Sequence, residues 1–218
     1  MELNKLIDHT LLKATATISE IETLCKEAVE YDFYSVCVNS GYVATAKKFL
    51  TGTDIKVCSV VGFPLGAMSA KAKYFETGEA LADGADEIDM VVNMGFLKDG
   101  RYDFVRNDIA MVKKACKKHI LKVIIETSRL TPEEIKLASK LCLEAKADFV
   151  KTSTGFDTRG ASFEDIKLIK EVVKDNALIK ASGGIKNLAE VREYVKLGAN
   201  RIGASKGVLI MQELKEEK

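Results

Sequence analysis

Short apolar runs alternate with helix-period segments along the whole chain, and this alternation limits the possible folds more than any other feature of the sequence. Candidate strands are Leu6 to Thr10, Phe33 to Val38, Ile55 to Val61, Glu87 to Val92, Leu121 to Glu126, Asp148 to Thr152, Ala177 to Ala181 and Asn200 to Gly203. They recur roughly every 22 to 35 residues, the length of a strand with a covering helix. Three helix ends repeat one phrase before the next strand: Leu81-Ala82-Asp83-Gly84-Ala85-Asp86, Leu143-Glu144-Ala145-Lys146-Ala147-Asp148 and Val195-Lys196-Leu197-Gly198-Ala199-Asn200. The glycines of the first and third fit left-handed C-caps. Helix starts are equally legible. Thr131-Pro132-Glu133-Glu134 supplies a hydroxyl cap, a proline at the first helical position and a glutamate that can return to the cap, and Asn187-Leu188-Ala189-Glu190 repeats the idea. From Thr131 to Leu143, Ile135, Ala138, Leu141 and Cys142 form one apolar stripe. Lys113, Lys114, Lys117 and Lys118 read as a solvated helix face opposite Met111, Val112 and Cys116.

Eight strands with covering helices imply an α/β fold, a single (β/α)8 TIM barrel with a parallel eight-stranded sheet. Its active site belongs at the C-terminal ends of the strands. The chain has 218 residues, two prolines and no low-complexity tract, so one domain over residues 1–218 is expected. A formal net charge of +1 offers no field for nucleic acid or an anionic membrane surface. The longest apolar runs, such as Val57 to Val61, are too short to span a bilayer, and Met1-Glu2-Leu3-Asn4-Lys5 is not a secretory start. A cytoplasmic location is the expectation. Cys25, Cys37, Cys58, Cys116 and Cys142 are odd in number and form no C-x-x-C pair, which suits reduced core thiols. Only His9 and His119 are present, and no His/Cys/carboxylate cluster has metal-ligand spacing. A zinc or iron site is therefore not expected, while magnesium held through substrate oxygens stays open.

The strand ends carry the chemistry. Asp148-Phe149-Val150-Lys151 is an apolar run ending in a lysine, followed by Thr152-Ser153-Thr154-Gly155-Phe156. Such a lysine can snorkel to solvent or pair with a carboxylate. A second lysine, Lys180, occupies the corresponding place on the next strand, and Asp89 interrupts the apolar run Glu87 to Val92. If Asp89 simply neutralises one lysine, the other cation is left without a partner. An amine attacks a carbonyl only when unprotonated, and a neighbouring cation in a partly dry barrel mouth disfavours the protonated form. Lys151 as nucleophile, Lys180 as the neighbour that keeps it neutral and Asp89 as acid/base make a Schiff-base lyase or aldolase the natural reading. Small residues after the last three strands, Thr154-Gly155, Ser182-Gly183-Gly184 and Gly203-Ala204-Ser205, let backbone amides approach an anion where barrels of this class bind phosphate.

Ile7-Asp8-His9-Thr10-Leu11-Leu12-Lys13, Glu87-Ile88-Asp89, Phe149 to Gly155, Ile179 to Gly184 and Arg201-Ile202-Gly203-Ala204-Ser205 resemble the motifs of the deoxyribose-phosphate aldolase family nearly end to end. The resemblance implies reversible cleavage of 2-deoxy-D-ribose 5-phosphate to acetaldehyde and D-glyceraldehyde 3-phosphate, without a metal or organic cofactor. It makes Lys151 the Schiff-base lysine, Lys180 its neighbour and Asp89 the proton relay. It places Asp8, Thr10 and Cys37 near the sugar end and Thr154 among the substrate contacts. Gly155, Gly183, Gly184, Gly203 and Ser205 fall at the phosphate. Packing is the simpler role for Cys37, which has no base beside it in sequence. The expected partners are small phosphosugars and aldehydes, with a homodimer as the family-level expectation. Lys206 and Arg159 depart from the family pattern and add positive charge beside the presumed phosphate. The tail Gln212 to Lys218 lacks the terminal tyrosine that some members use, so the relay is expected to rest on Asp89, Lys180 and water. Two other classes stay open on the residues alone: a phosphosugar isomerase or epimerase on the same barrel, and a non-catalytic phosphosugar-binding barrel that regulates a partner.

Overall fold

Alternate residues of each strand serve two different environments. In Glu87–Val91, Ile88 and Met90 belong to the main apolar core, whereas Glu87 and Asp89 pair with cations from other strands. The structure is a computed structural model that describes residues 2–217. Its elements follow in the order β1 (Ile7–Leu11), α1 (Ile18–Glu30), β2 (Ser35–Val38), α2 (Val43–Phe49), β3 (Lys56–Val61), α3 (Ala70–Ala82), β4 (Glu87–Val91), α4 (Met94–Lys98), α5 (Tyr102–Cys116), β5 (Ile120–Ile124), α6 (Pro132–Glu144), β6 (Phe149–Lys151), α7 (Phe163–Val173), β7 (Leu178–Ser182), α8 (Leu188–Lys196), β8 (Arg201–Ala204) and α9 (Gly207–Glu216). Each strand pairs in parallel with the next, and β1 pairs with β8 to close the barrel.

The expected elements are present with their ends adjusted by local backbone. β2 starts two residues later than the apolar run, because Phe33 is still tied to the end of α1 through its amide and the Ala28 carbonyl. β5 stops before Glu126, whose left-handed backbone (φ +52°, ψ +69°) cannot continue a strand. The caps hold as expected. Thr131 and Glu134 form a reciprocal capping box, and the Asn187 side chain accepts from the Glu190 amide at 2.9 Å. Gly84 and Gly198 take φ of +103° and +111°, and Lys146 takes +60° in the same phrase without the glycine. On α5, Val112 and Cys116 are buried and Lys114 is exposed, while Lys113 ion-pairs with Asp148.

The main core fills the space between the outer barrel face and the helices, with Ile7, Ile88, Leu121, Val150 and Ile179 among its members. Inside the barrel a smaller apolar cluster, Leu12, Cys37, Cys58 and Val60, meets Phe63, and the remaining interior is largely ionic. No helix among the described residues is long and apolar enough to cross a membrane.

Candidate active site

Strand register brings the charged residues together. Asp89 of β4 sits opposite Lys122 of β5, and Lys151 of β6 sits opposite Lys180 of β7. Lys151 Nζ donates to Asp89 Oδ2 at 2.7 Å, and Lys180 Nζ donates to the same oxygen at 2.8 Å. The other oxygen, Oδ1, accepts from Lys122 Nζ at 2.8 Å and from Cys58 Sγ at 3.1 Å. Lys180 also donates to Asp8, which accepts from Ser35 Oγ at 2.7 Å and Arg201 Nη1 at 2.9 Å. Lys122 reaches Glu87 Oε2 at 2.5 Å, and Arg201 reaches the same oxygen at 3.1 Å.

These contacts set the charge states. Burial alone would raise the Asp89 carboxyl, but Lys122, Lys151 and Lys180 outweigh it and hold the group well below the usual carboxylate range. Asp8 is likewise lowered, with Lys180 and Arg201 overcoming its burial. Burial would make Lys180 release its proton, yet Asp8 and Asp89 raise its pKa above that of an ordinary lysine. Lys122 is raised for the same reason, by Asp89, Cys58 and Glu87 acting against burial. Lys180 and Lys122 are therefore standing cations, and Asp89 is a standing anion that both can address.

Above this network lies a cavity of about 350 Å³ at the C-terminal ends of the strands. Lys151, only 3% exposed, joins the two, since it touches Asp89 and also lines the cavity. Of the other expected site residues, Thr10, Thr154, Gly155, Gly183, Gly184, Gly203, Ser205 and Lys206 line the same cavity. Asp8, Cys37, Asp89 and Lys180 are fully buried beneath it. Thr154 is held in place by Glu126, which accepts from its hydroxyl and its amide, and burial raises the Glu126 carboxyl more than these bonds lower it.

The glycines have distinct jobs. Gly183 and Gly160 pass so closely that a Cβ on Gly160 would lie 1.9 Å from the Gly183 carbonyl oxygen. Gly203 makes room for the lysine, since a Cβ there would meet Lys180 Cε at 3.0 Å and Ser182 Cβ at 2.9 Å. Loops after β7 and β8 then enter α8 and α9, so two helix N-termini flank the wall formed by Gly183, Gly184, Ser205 and Lys206.

Three expectations change. Asp89 does not choose one lysine and strand the other: it uses both oxygens, and barrel closure brings Asp8 of β1 to Lys180. Arg159 does not line the cavity; its guanidinium grips Asp165 at 2.6 and 3.1 Å and reaches the Thr127 carbonyl at 3.1 Å. Folding also gathers a donor set that sequence spacing does not show, with Cys37, Cys58 and Asp89 atoms within 4.8 Å of one another. Three lysine side chains already crowd that carboxylate, and Lys122 Nζ lies 3.5 Å from Cys58 Sγ, so the set is a poor fit for a divalent cation. Lys122 and Arg201 were missed, although Lys122 interrupts an apolar run just as Asp89 does. Lys186, which lines the cavity, was missed as well.

Comparison with known proteins adds independent support. A model of the DeoC/LacD family aldolases matches residues 3–213. The chain is 56% identical over 217 residues to a deoxyribose-phosphate aldolase of Coprothermobacter proteolyticus, covering 100% of this chain and 99% of that one. It is 57% identical over 212 residues to one of Finegoldia magna, covering 97% and 100%. The solved tetrameric deoxyribose phosphate aldolase of Aeropyrum pernix superposes with a TM-score of 0.91 at 30% identity, over 99% of this chain and 92% of that one. The chain belongs to the DeoC/LacD family of aldolases.

Proposed function

We propose that this enzyme reversibly cleaves 2-deoxy-D-ribose 5-phosphate to acetaldehyde and D-glyceraldehyde 3-phosphate through an imine on Lys151. The observation that carries this reading is the position of Lys151, which alone among the lysines of the buried network also lines the cavity. Lys151 as free amine attacks the C1 aldehyde, and loss of water leaves a protonated imine that draws electrons from C2. A base then takes the proton of the C3 hydroxyl, the C2–C3 bond breaks toward the imine, and glyceraldehyde 3-phosphate departs. The enamine left on Lys151 gains a proton at C2, and water releases acetaldehyde. Asp89, ionised and 2.7 Å from Lys151 Nζ, serves as the proton relay, directly or through a water. Lys180 supplies fixed positive charge beside both. The glycine-rich wall and Lys206 receive the phosphate, with Thr10 and Thr154 toward the sugar.

Borohydride reduction in the presence of acetaldehyde tests the reading. Irreversible inactivation with added mass on Lys151 is the expected result, and Lys151→Met should prevent it. A wild-type chain that gains no adduct on any lysine would return the field to the isomerase, which needs no imine, or to the silent barrel. We further propose that residues 1–218 act as one domain and that the enzyme works as a homodimer in the cytoplasm. Sedimentation equilibrium separates the dimer from a monomer or a tetramer.

A further inference from the structure

We propose that Glu87, at the N-terminal end of β4, is a positioning residue for the reaction at Lys151, acting through Lys122 on Asp89. This inference rests on the aldolase reading above. Glu87 lies at the opposite end of the barrel from the substrate cavity and borders a separate cavity with Tyr34 and Lys56. Among the described residues its ion pairs are with Lys122 and Arg201, neither of which lines the substrate cavity, so its effect on the reaction would travel through the barrel interior.

The path is short. Lys122 is fully buried, with Glu87 Oε2 below it at 2.5 Å and Asp89 Oδ1 above it at 2.8 Å. The nearest other carboxylate, Asp8, is 4.0 Å away. Glu87 therefore sets the height of the ammonium, and the ammonium claims Oδ1 of Asp89. That leaves Oδ2 for Lys151 and Lys180 and blocks rotation of the carboxylate. Glu87 also holds Arg201, which is stacked 3.5 Å over the Tyr34 ring, so the lower anchor is itself braced. As a contribution to stability alone, Glu87 is a poor choice. Its Oε1 is buried without a hydrogen-bond partner among the described residues, and a buried carboxylate with an unsatisfied oxygen costs the fold free energy. A residue that holds a reacting group in register explains both the burial and the unused oxygen.

A double-mutant cycle tests the proposal on the intact enzyme with 2-deoxyribose 5-phosphate. Glu87→Gln removes the charge that anchors Lys122 and keeps the shape. It should lower kcat about tenfold through misplacement of Asp89, with KM unchanged. In a Lys122→Met background the same change should have no further effect on kcat, because the intermediary is already gone. Wild-type kcat in Glu87→Gln, or an equal loss in both backgrounds, overturns the proposal. If Lys122→Met fails to fold, the split between kcat and KM in Glu87→Gln decides: a raised KM or a lowered melting temperature with kcat intact means a structural role only. A wild-type enzyme that traps no imine fails the functional reading itself and is recognised before any variant is made.

Discussion

Lys151 and Asp89 join the cavity to the buried network of lysines and carboxylates, Nζ lying 2.7 Å from Oδ2. The carboxylate is held ionised by Lys122, Lys151 and Lys180 against the pull of burial, so it rests in the proton-accepting form, as a weak base whose proton affinity rises when a neighbouring positive charge is lost. Asp89→Asn keeps the shape and removes the base. Its kcat should fall by roughly 10²- to 10⁴-fold, the usual worth of a positioned acid/base, while borohydride still traps an adduct on Lys151 over longer times. Acetaldehyde release in a coupled assay gives the rate. A kcat within a factor of two of wild type would remove Asp89 from the relay.

Lys206 and Arg159 looked alike in the sequence and part company in the structure. Lys206 lines the cavity, whereas Arg159 is committed to Asp165 at the start of α7. Lys206→Met should raise KM for the phosphorylated substrate about tenfold through loss of a charge-assisted contact, with kcat little changed. Arg159→Met should leave KM alone and lower stability by about 1–3 kcal/mol, because the buried Asp165 loses its cation while keeping the Thr127 hydroxyl and the Ser162 amide. Steady-state kinetics and urea denaturation of both variants distinguish the two roles, and a raised KM in Arg159→Met would contradict this assignment.

Gly203 is expected to tolerate no side chain. An added methyl meets Lys180 Cε at 3.0 Å and Ser182 Cβ at 2.9 Å, and neither can retreat in a packed interior. Gly203→Ala should lower stability by about 1–3 kcal/mol and displace Lys180 from Asp89. The kinetic signature is a lower kcat even with bound phosphate. Thermal melts and saturation kinetics check it, and wild-type values in both would show that the loop shifts freely.

Acid should release the buried network in a defined window. Asp8 and Asp89 have folded pKa values below the ordinary 3.8, so their contribution to stability is present above pH 3.8 and is lost as pH falls through the lowered values. Stability measured by urea denaturation should therefore decline more steeply below about pH 3.8 than above it. Asp8→Asn takes one of two carboxylates from each of Lys180 and Arg201, which keep Asp89 and Glu87; this should cost about 1–3 kcal/mol at neutral pH and flatten the acid limb. An acid limb equally steep in Asp8→Asn would place the titrating groups elsewhere.

Most of the barrel was legible because each strand buries its outer face in apolar contacts and each helix carries its own start and stop signals. Thr131, Asn187, Gly84 and Gly198 act locally, so their neighbours in sequence are enough to read them. Lys146 shows the limit, since it takes the left-handed cap conformation that its two counterparts give to glycine. The meeting of Lys151, Lys180 and Asp89 was legible from strand position alone. Their other partners were not, because the pairing of Lys180 with Asp8 joins residues 172 apart and exists only once β1 closes on β8. Arg159 was misplaced for the opposite reason: its true partner, Asp165, is six residues away and belongs to a helix start that Ser162 announces. Lys122 could have been found by the reasoning that found Asp89, as a charge in an apolar run.

The split between an apolar exterior and an ionic interior also bears on how the chain finds its register. A strand slipped by one residue would turn Ile88 and Met90 into the barrel and drive Glu87 and Asp89 into the oily layer under the helices. Each misplaced charge carries a penalty of several kcal/mol, far more than a slipped apolar contact forfeits. The buried charges thus proofread strand pairing during folding, and a barrel that assembles correctly has assembled its ionic interior in the same event.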